Sequence, residues 1–398
     1  MIIEPRVRGF ICMTAHPDGC AANVGEQIAH VRERGSIDGP RSVLVVGAST
    51  GYGLASRIVA AFGCGAKTVG AFFERPGSRR RPASAGWYNT AAFERAAAEA
   101  GLGAWSYNGD AFADEAKERV LDLIRTHLDG SVDLVVYSLA SPRRVHPDTG
   151  ETFNSVIKPI RAPFAGRTID ARSGALGDAS IEPATDQEVE HTVAVMGGDD
   201  WRRWVDALDG AGVLAPGCHT LAYTYLGPEH TWPIYRDGTI GKAKEDLQRT
   251  ADELDARLRA RGGRALLSVN RALVTQASAA IPTVAVYLAM LGPLLRERGT
   301  DEGCIEQMDR LFRERLCAGE DIPVDEAGRV RVDDYEMEDE VQAAVRECWE
   351  QVTAEGYRQI LDVDGYQREF LRLFGFGVPG VDYGAEVDPE VAIPSIDG

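Results

Sequence analysis

Paired cysteines are missing from this sequence. Its seven, Cys12, Cys20, Cys64, Cys218, Cys304, Cys317 and Cys348, are odd in number and scattered, with no C-x-x-C. That excludes a disulfide framework and a structural zinc site, and it points to a reducing, cytoplasmic setting. An excess of positive charge is missing too. Lys and Arg number 43 against 61 Asp and Glu, for a net charge of −18. A general nucleic-acid binder needs a basic face to displace counterions, so that class is excluded, although a local basic pocket for phosphates is not. The acidic surface is compatible with a monomer. No apolar run is long enough to cross a bilayer. The most apolar stretch, AAIPTVAVYLAMLGPLL at 279–295, is interrupted by Pro282 and Pro293. It falls short of the roughly 20 residues of a span, so it reads as a buried or lid-like helix. The start, MIIEPRVRGF, has no long apolar core and no cleavage-like site, so no secretory leader is expected. No His/Asp/Glu cluster suggests a metal, and the G-x-S-x-G elbow of hydrolases is absent.

What is present fits a folded α/β protein. Hydrophobic residues make up 44% and charged residues 26% of 398 positions, enough for one large unit or two ordinary domains. Apolar runs alternate with helical patterns. SVLVVG, KTVGAFF, AWSYNGD and VDLVVYSLA read as four strands, each followed by a helical or loop segment, with CHTLAYTYL and RALLSVN as later strands. Near-continuous apolar strands separated by helices indicate a doubly wound parallel sheet of Rossmann type, covered on both faces. Turn residues and short β-prone pieces at 141–190 suggest one or two inserted hairpins. Residues 300–398 form a mixed tail with helical patterns at 304–316 and 339–361. We expect one domain over 1–398. Its core lies at about 40–290, a substrate-side insertion at about 141–197, and an extended C-terminal region at about 300–398.

VLVVGASTGYGLASRI places Gly47, Gly51 and Gly53 between a strand and a helix. Glycine lets the backbone approach a ligand closely, and the helix start offers free N–H groups to a pyrophosphate. The whole turn, Gly47, Ala48, Ser49, Thr50, Gly51, Tyr52 and Gly53, is therefore a candidate nucleotide cradle, although its spacing is GxxxGxG rather than GxGxxG. Glu74, at the end of the second strand, is placed to hold the adenosine ribose, and its charge would repel a 2′-phosphate, favouring NAD over NADP. Arg75, with Arg79, Arg80 and Arg81, follows at once; this basic loop is either solvated, a site for substrate phosphates, or a source of NADPH tolerance. Asp110, with Ala111 and Phe112, follows the third strand and is placed to reach the adenine. Leu139 and Ala140, after the fourth, are placed to line the cofactor's middle.

Beside such a cofactor, a tyrosine and a lysine gain meaning. GPEHTWPIYRDGTIGKAKEDL holds Tyr235 with Lys242 and Lys244. A phenol can donate to a developing oxyanion, and an ammonium assists it and can hold a sugar hydroxyl. Short-chain dehydrogenases carry this pair four apart on one helix face. Here Tyr235 and Lys244 are nine apart. At roughly 100° per residue that spacing falls on opposite faces of a helix, so one helix cannot present both. Pro233, Gly238 and Gly241 break it, leaving Tyr235 on a preceding loop and Lys244 in the first helical turns. Lys242 reads as solvent-facing.

The sequence resembles the trans-2-enoyl-CoA reductases and the FabV-type enoyl-acyl-carrier-protein reductases, large members of the short-chain dehydrogenase superfamily. The segments PRVRGFICMTAHPDGC, GASTGYGLASRI, FFERPGS, AGWYN, VYSLASPRR, VMGGDDW, TYLGPEHTWPIYRDGTIGKAKEDL, ALVTQASAAIP and LFGFGVPGVDY carry the resemblance nearly end to end. The family's Tyr-x8-Lys signature matches Tyr235 and Lys244. The resemblance implies hydride transfer from NADH to C3 of an enoyl thioester, with Tyr235 stabilising the enolate and serving the proton at C2. It implies Lys244 on the nicotinamide ribose, Tyr225 as a second hydroxyl near the thioester, and Val274, Thr275 and Gln276 at the carboxamide. The implied partner is an enoyl-CoA or an enoyl-acyl-carrier protein. Arg143, Arg144, Lys158 and Arg161 would meet its phosphates or acidic surface. Three alternatives concern single residues: Tyr225 as a packed core tyrosine, Thr275 as a helix cap, and His16 as a structural turn residue. Two concern the whole chain: a carbonyl reductase on the same scaffold, or a sensor that binds NAD(H) without chemistry.

Overall fold

Val43, Leu44, Val45 and Val46 are each completely buried. A strand with no polar side has to lie between two apolar layers, and it does. The computed structural model describes residues 1–398 apart from 282, 320 and 398. Its central sheet has seven parallel strands, β1 Ser42–Val46, β2 Lys67–Phe72, β3 Ala104–Asn108, β4 Val132–Tyr137, β5 Leu214–Thr224, β6 Arg264–Val269 and β7 Val330–Arg331. Their order is β7-β6-β5-β4-β1-β2-β3. The chain starts in the middle, winds outward to β3, then returns to β4 on the other side of β1. The loops after β1 and β4 therefore diverge, and the crevice between them is where such sheets bind nucleotides. Val46 lies opposite Ala71 on one side and Tyr137 on the other, so three strand ends meet at that crevice.

Helices cover both faces. They are α1 Pro17–Glu33, α2 Gly51–Ile58, α3 Ala85–Glu99, α4 Asp114–His127, α5 Asp186–Met196, α6 Asp199–Gly210, α7 Thr239–Arg259, α8 Val284–Arg298, α9 Cys304–Leu311, α10 Asp339–Gln351, α11 Tyr357–Ile360 and α12 Val363–Arg372. Val43 and Val45 pack with Ile28 of α1, Ile58 of α2, Phe93 of α3 and Met308 of α9. Leu44 and Val46, pointing the other way, pack with Ile124 of α4, Trp204 of α6 and Leu254 of α7. Each such side chain contributes about 1.5–3 kcal/mol by leaving water. A third core joins α8 to α10 and α12 through Tyr287, Leu291, Val341, Val345, Tyr366 and Phe370.

The loop-rich stretch holds two hairpins, Arg143–Val145 with Thr152–Asn154 and Phe164–Ile169 with Leu176–Ile181. The apolar run that held the long-helix pattern forms α8, with Pro293 inside it; Pro282 lies outside the described residues. Among the described residues, no helix is long and apolar enough to cross a membrane. One element departs from the sequence reading. The tail beyond 300, read as mixed with two helical patterns and no named strand, supplies β7, the edge strand beside β6. Two residues are too short a run to show a strand period, so only pairing reveals it. His16 takes a structural role as the cap of α1, its Nδ1 accepting from the Gly19 N–H at 3.3 Å.

Candidate active site

The turn after β1 is shaped by close approach. Gly47 has φ +87°, and a Cβ there would lie 2.3 Å from the Ser138 carbonyl oxygen; one on Gly53 would lie 1.9 Å from the Gly47 oxygen. No other residue fits either position. α2 starts with no side-chain cap on its N–H groups. Gly51 and Tyr52 line a cavity of about 540 Å³, the size of a small-molecule site. The cradle thus has open donors, the positive end of a helix, and glycines where a phosphate must come close. These residues fit a dinucleotide.

On the adenosine side, Glu74 stands beside the turn as expected. The Ser49 hydroxyl donates to its Oε1 at 2.8 Å, and Gly86 leaves room for the carboxylate, since a Cβ there would meet it at 2.0 Å. Burial pushes its carboxyl up, against the pull of the Ser84 and Ser49 hydroxyls and Arg75. Arg75 turns back onto its own loop, donating to the Pro82 carbonyl at 3.1 Å. Arg79 is almost fully exposed and only 3.8 Å from Glu390, a solvated pair. Asp110 accepts from the Phe112 N–H at 3.0 Å and so holds its own turn; Ala111 and Phe112 are buried behind it. None of Glu74, Arg75, Asp110, Ala111 or Phe112 lines this cavity, whereas Thr50, Leu139, Ala140, Val274, Thr275 and Gln276 do. Thr275 also closes a tight turn, its Oγ1 accepting from the Ser278 N–H at 3.0 Å.

Tyr235 and Lys244 both line the same cavity. Tyr235 sits in the turn before α7, and Lys244 lies in that helix's second turn, as the broken-helix reading requires. Gly241 permits the join, because a Cβ there would lie 1.7 Å from the Arg236 carbonyl oxygen. Among the described residues nothing hydrogen-bonds the Tyr235 hydroxyl, and burial pushes its pKa well up, so it stays a proton donor. Lys244 Nζ donates to the Tyr223 carbonyl at 3.3 Å, and its enclosure pushes its pKa down to about 8. Lys242 faces solvent and pairs with Glu245 at 2.7 Å. Tyr225 lines the cavity with its ring against Tyr235, but its hydroxyl donates to Glu336 at 2.8 Å. It is at once a wall residue and a tyrosine with a satisfied hydroxyl.

The expected phosphate cluster is corrected. Arg144 is 2% exposed and spent on Asp199 at 2.6 Å and the Ala194 carbonyl at 2.7 Å. It lies on the inward face of a three-residue strand, too short for its alternation to be read beforehand. Lys158 is paired with Glu188 at 2.5 Å. Only Arg143 and Arg161 stay exposed. Two residues, Asn270 and Glu336, escaped the sequence reading, and one already named, Tyr52, has a further contact. Tyr52 donates to the Arg271 carbonyl at 2.8 Å, a tie beyond its place in the turn. Asn270, just after β6, is among the residues that line the cavity, and its buried amide nitrogen has no partner among the described residues. Glu336 lies in an acidic run, DDYEMEDE, where nothing local marks one carboxylate as buried.

A Rossmann-type sheet, a glycine-built cradle and a tyrosine and lysine lining one cavity define a nicotinamide-dependent oxidoreductase. Family models agree along the chain. An NAD(P)H binding domain of trans-2-enoyl-CoA reductase matches residues 2–79, and the trans-2-enoyl-CoA reductase catalytic region matches 81–317. An enoyl-acyl-carrier-protein reductase (NADH) of Coxiella burnetii is 56% identical over 398 residues, covering 100% of this chain and 98% of that protein. A trans-2-enoyl-CoA reductase (NADH) of Ruminiclostridium cellulolyticum is 54% identical, with 100% of both covered. The crystal structure of Treponema denticola trans-2-enoyl-CoA reductase in complex with NAD superposes with a TM-score of 0.93 at 48% identity, covering 97% of this chain and 98% of that one. The chain belongs to the trans-2-enoyl-CoA reductase family.

A third family model, an enoyl reductase FAD binding domain, matches residues 324–387. The residues there do not fit a flavin. The segment's apolar side chains, Val341, Val345, Val352, Val363, Tyr366 and Phe370, are packed into a core with α8. Only Glu369, Arg372 and Leu373 from it reach the cavity, and it has no strand–glycine turn–helix unit to cradle a pyrophosphate.

Proposed function

We propose that Tyr235 and Lys244 carry the NADH-dependent reduction of the carbon–carbon double bond of trans-2-enoyl thioesters, with Tyr225 beside them in the cavity. The activity itself follows from membership of the family across the full chain. Bound in the cradle, NADH supplies a hydride to C3 of the substrate. Thr50, Gly51 and Tyr52 hold its pyrophosphate end, Glu74 its adenosine ribose, and Val274, Thr275 and Gln276 its carboxamide. Lys244 holds the nicotinamide ribose, and its charge favours negative charge nearby. The Tyr235 hydroxyl donates to the thioester oxygen as the enolate forms, then provides or relays the proton for C2. The product is the saturated acyl thioester.

One observation carries the assignment of Tyr235: a buried phenol whose hydroxyl is unpartnered among the described residues and which lines the same cavity as Lys244. Mixing protein, NADH and crotonyl-CoA and following reduced nicotinamide tests it. Binding without turnover would leave a sensor; turnover only with ketones or aldehydes would leave a carbonyl reductase. The thioester carrier is coenzyme A or an acyl-carrier protein, and parallel KM values for the two decide which. The whole chain is read as one domain and a cytoplasmic monomer. Seven free cysteines support the reducing compartment. Light scattering at working concentration tests the oligomeric state.

A further inference from the structure

Tyr225 is one of three groups that converge on a single buried carboxylate. Its hydroxyl donates to Glu336 Oε1 at 2.8 Å. Tyr287, within α8, donates to the same oxygen at 2.7 Å, and the Ala272 N–H donates to Oε2 at 2.6 Å. Glu336 is completely buried and lies 111 residues from Tyr225 in sequence. Gln342 of α10 fastens the arrangement, donating to the Tyr287 hydroxyl at 3.2 Å and to the Glu336 carbonyl at 2.6 Å.

The three donors come from three elements around the cavity. Tyr225, which follows β5, lines it, and so does Ala272, which begins the loop that continues into Val274, Thr275 and Gln276. Tyr287 lies behind that lining in α8, the helix that reaches the cavity at Val284. A buried carboxylate is costly, and an apolar group would pack these elements at less expense. What the carboxylate adds is direction. Tyr225 has one hydroxyl proton and gives it to Glu336, so its oxygen offers only lone pairs elsewhere. The Tyr225 and Tyr235 rings meet edge to face with centroids 5.0 Å apart, and of the two only Tyr235 keeps a free donor among the described residues.

We propose that Glu336 is a positioning residue for the reduction. It turns the Tyr225 hydroxyl away from the thioester, leaves Tyr235 as the sole phenolic donor to the enolate, and locks the nicotinamide loop to α8. This rests on the placing of Tyr235 and Lys244 given above. It also assigns the C-terminal segment a part in the reductase site, in place of a flavin.

Glu336→Gln keeps the shape of the side chain and removes its charge. Single-turnover reduction of crotonyl-CoA at saturating NADH should slow by about 10- to 100-fold, the scale of a small misplacement of reacting groups. NADH affinity should hold. The isotope effect from 4-deuterated NADH should rise as hydride transfer becomes limiting, which a loss of stability alone would not produce. Placed in a Tyr225→Phe background, Glu336→Gln should cost much less than in the wild type, because both changes break the same hydrogen bond. A Glu336→Gln protein with a lowered Tm but wild-type single turnover overturns the proposal, as does full additivity with Tyr225→Phe. Should that variant fail to fold, Tyr287→Phe removes one hydroxyl only. It should slow single turnover several-fold and raise the isotope effect, and wild-type values there overturn the proposal equally. Failure of the site itself looks different: the wild type would be inert, or Tyr235→Phe would stay active.

Discussion

Tyr225 stands edge-on to Tyr235, with ring planes at 80° and, among the described residues, only the second hydroxyl free. Two phenols side by side in one cavity therefore differ in what they can offer. One is held by a carboxylate and shapes the wall, and the other has its proton to give, which the proposed mechanism uses. The contrast follows from partners rather than residue type, and it makes the two replacements separable.

Tyr235→Phe deletes a hydroxyl with no protein partner among the described residues, so the fold and NADH binding should survive. Loss of one donor to a developing oxyanion typically costs about 10²–10³ in kcat. Tyr225→Phe should cost less. Single-turnover rates with crotonyl-CoA at saturating NADH decide; near-wild-type turnover in Tyr235→Phe removes it from the chemistry.

Lys244 should set the alkaline limit. Enclosure lowers its pKa from 10.5 to about 8, so the ammonium is present below that pH and lost above it. The kcat/KM for NADH should fall as pH rises through about 8, while Tyr235, raised by burial, stays protonated there. The sign for stability is opposite. Between the lowered and ordinary values the unfolded chain binds more protons at this lysine, so its contribution to stability rises with pH. Lys244→Arg should move the alkaline limb upward, and a limb that stays in place in that variant assigns it to another group.

Glu74 should make NADH the preferred cofactor. Its carboxylate, held by Ser49, meets a ribose hydroxyl well and a 2′-phosphate badly. Glu74→Ala should narrow the kcat/KM ratio of NADH over NADPH from both sides. Equal use of both cofactors by the wild type would shift cofactor choice to the neighbouring arginines.

Arg144 should behave as a structural residue. Arg144→Ala takes its donor from the Ala194 carbonyl and leaves Asp199 with Arg202, and it should destabilise by about 1.5–3 kcal/mol, the range for hydrogen bonds to charged groups. The KM for crotonyl-CoA in the folded fraction should not change. Denaturant melts with parallel KM measurements separate this from the phosphate reading, which requires KM to rise.

Local pattern determined the sheet and half of the site. Unbroken Val and Leu runs need two covering layers, so six strands and their helices were legible. The glycine turn was legible because only glycine fits beside Ser138 and Gly47. The spacing of Tyr235 and Lys244, with Pro233 just before them and Gly238 and Gly241 between, dictated a loop-then-helix arrangement because a continuous helix would have parted them. The tertiary structure alone decided which charges are spent. Arg144 and Asp199 are 55 residues apart, and Tyr225 and Glu336 are 111 apart. Ion pairing and burial depend on which surfaces the fold brings together, and no local period records that. The same reason hid β7, whose two residues become a strand only by pairing with β6.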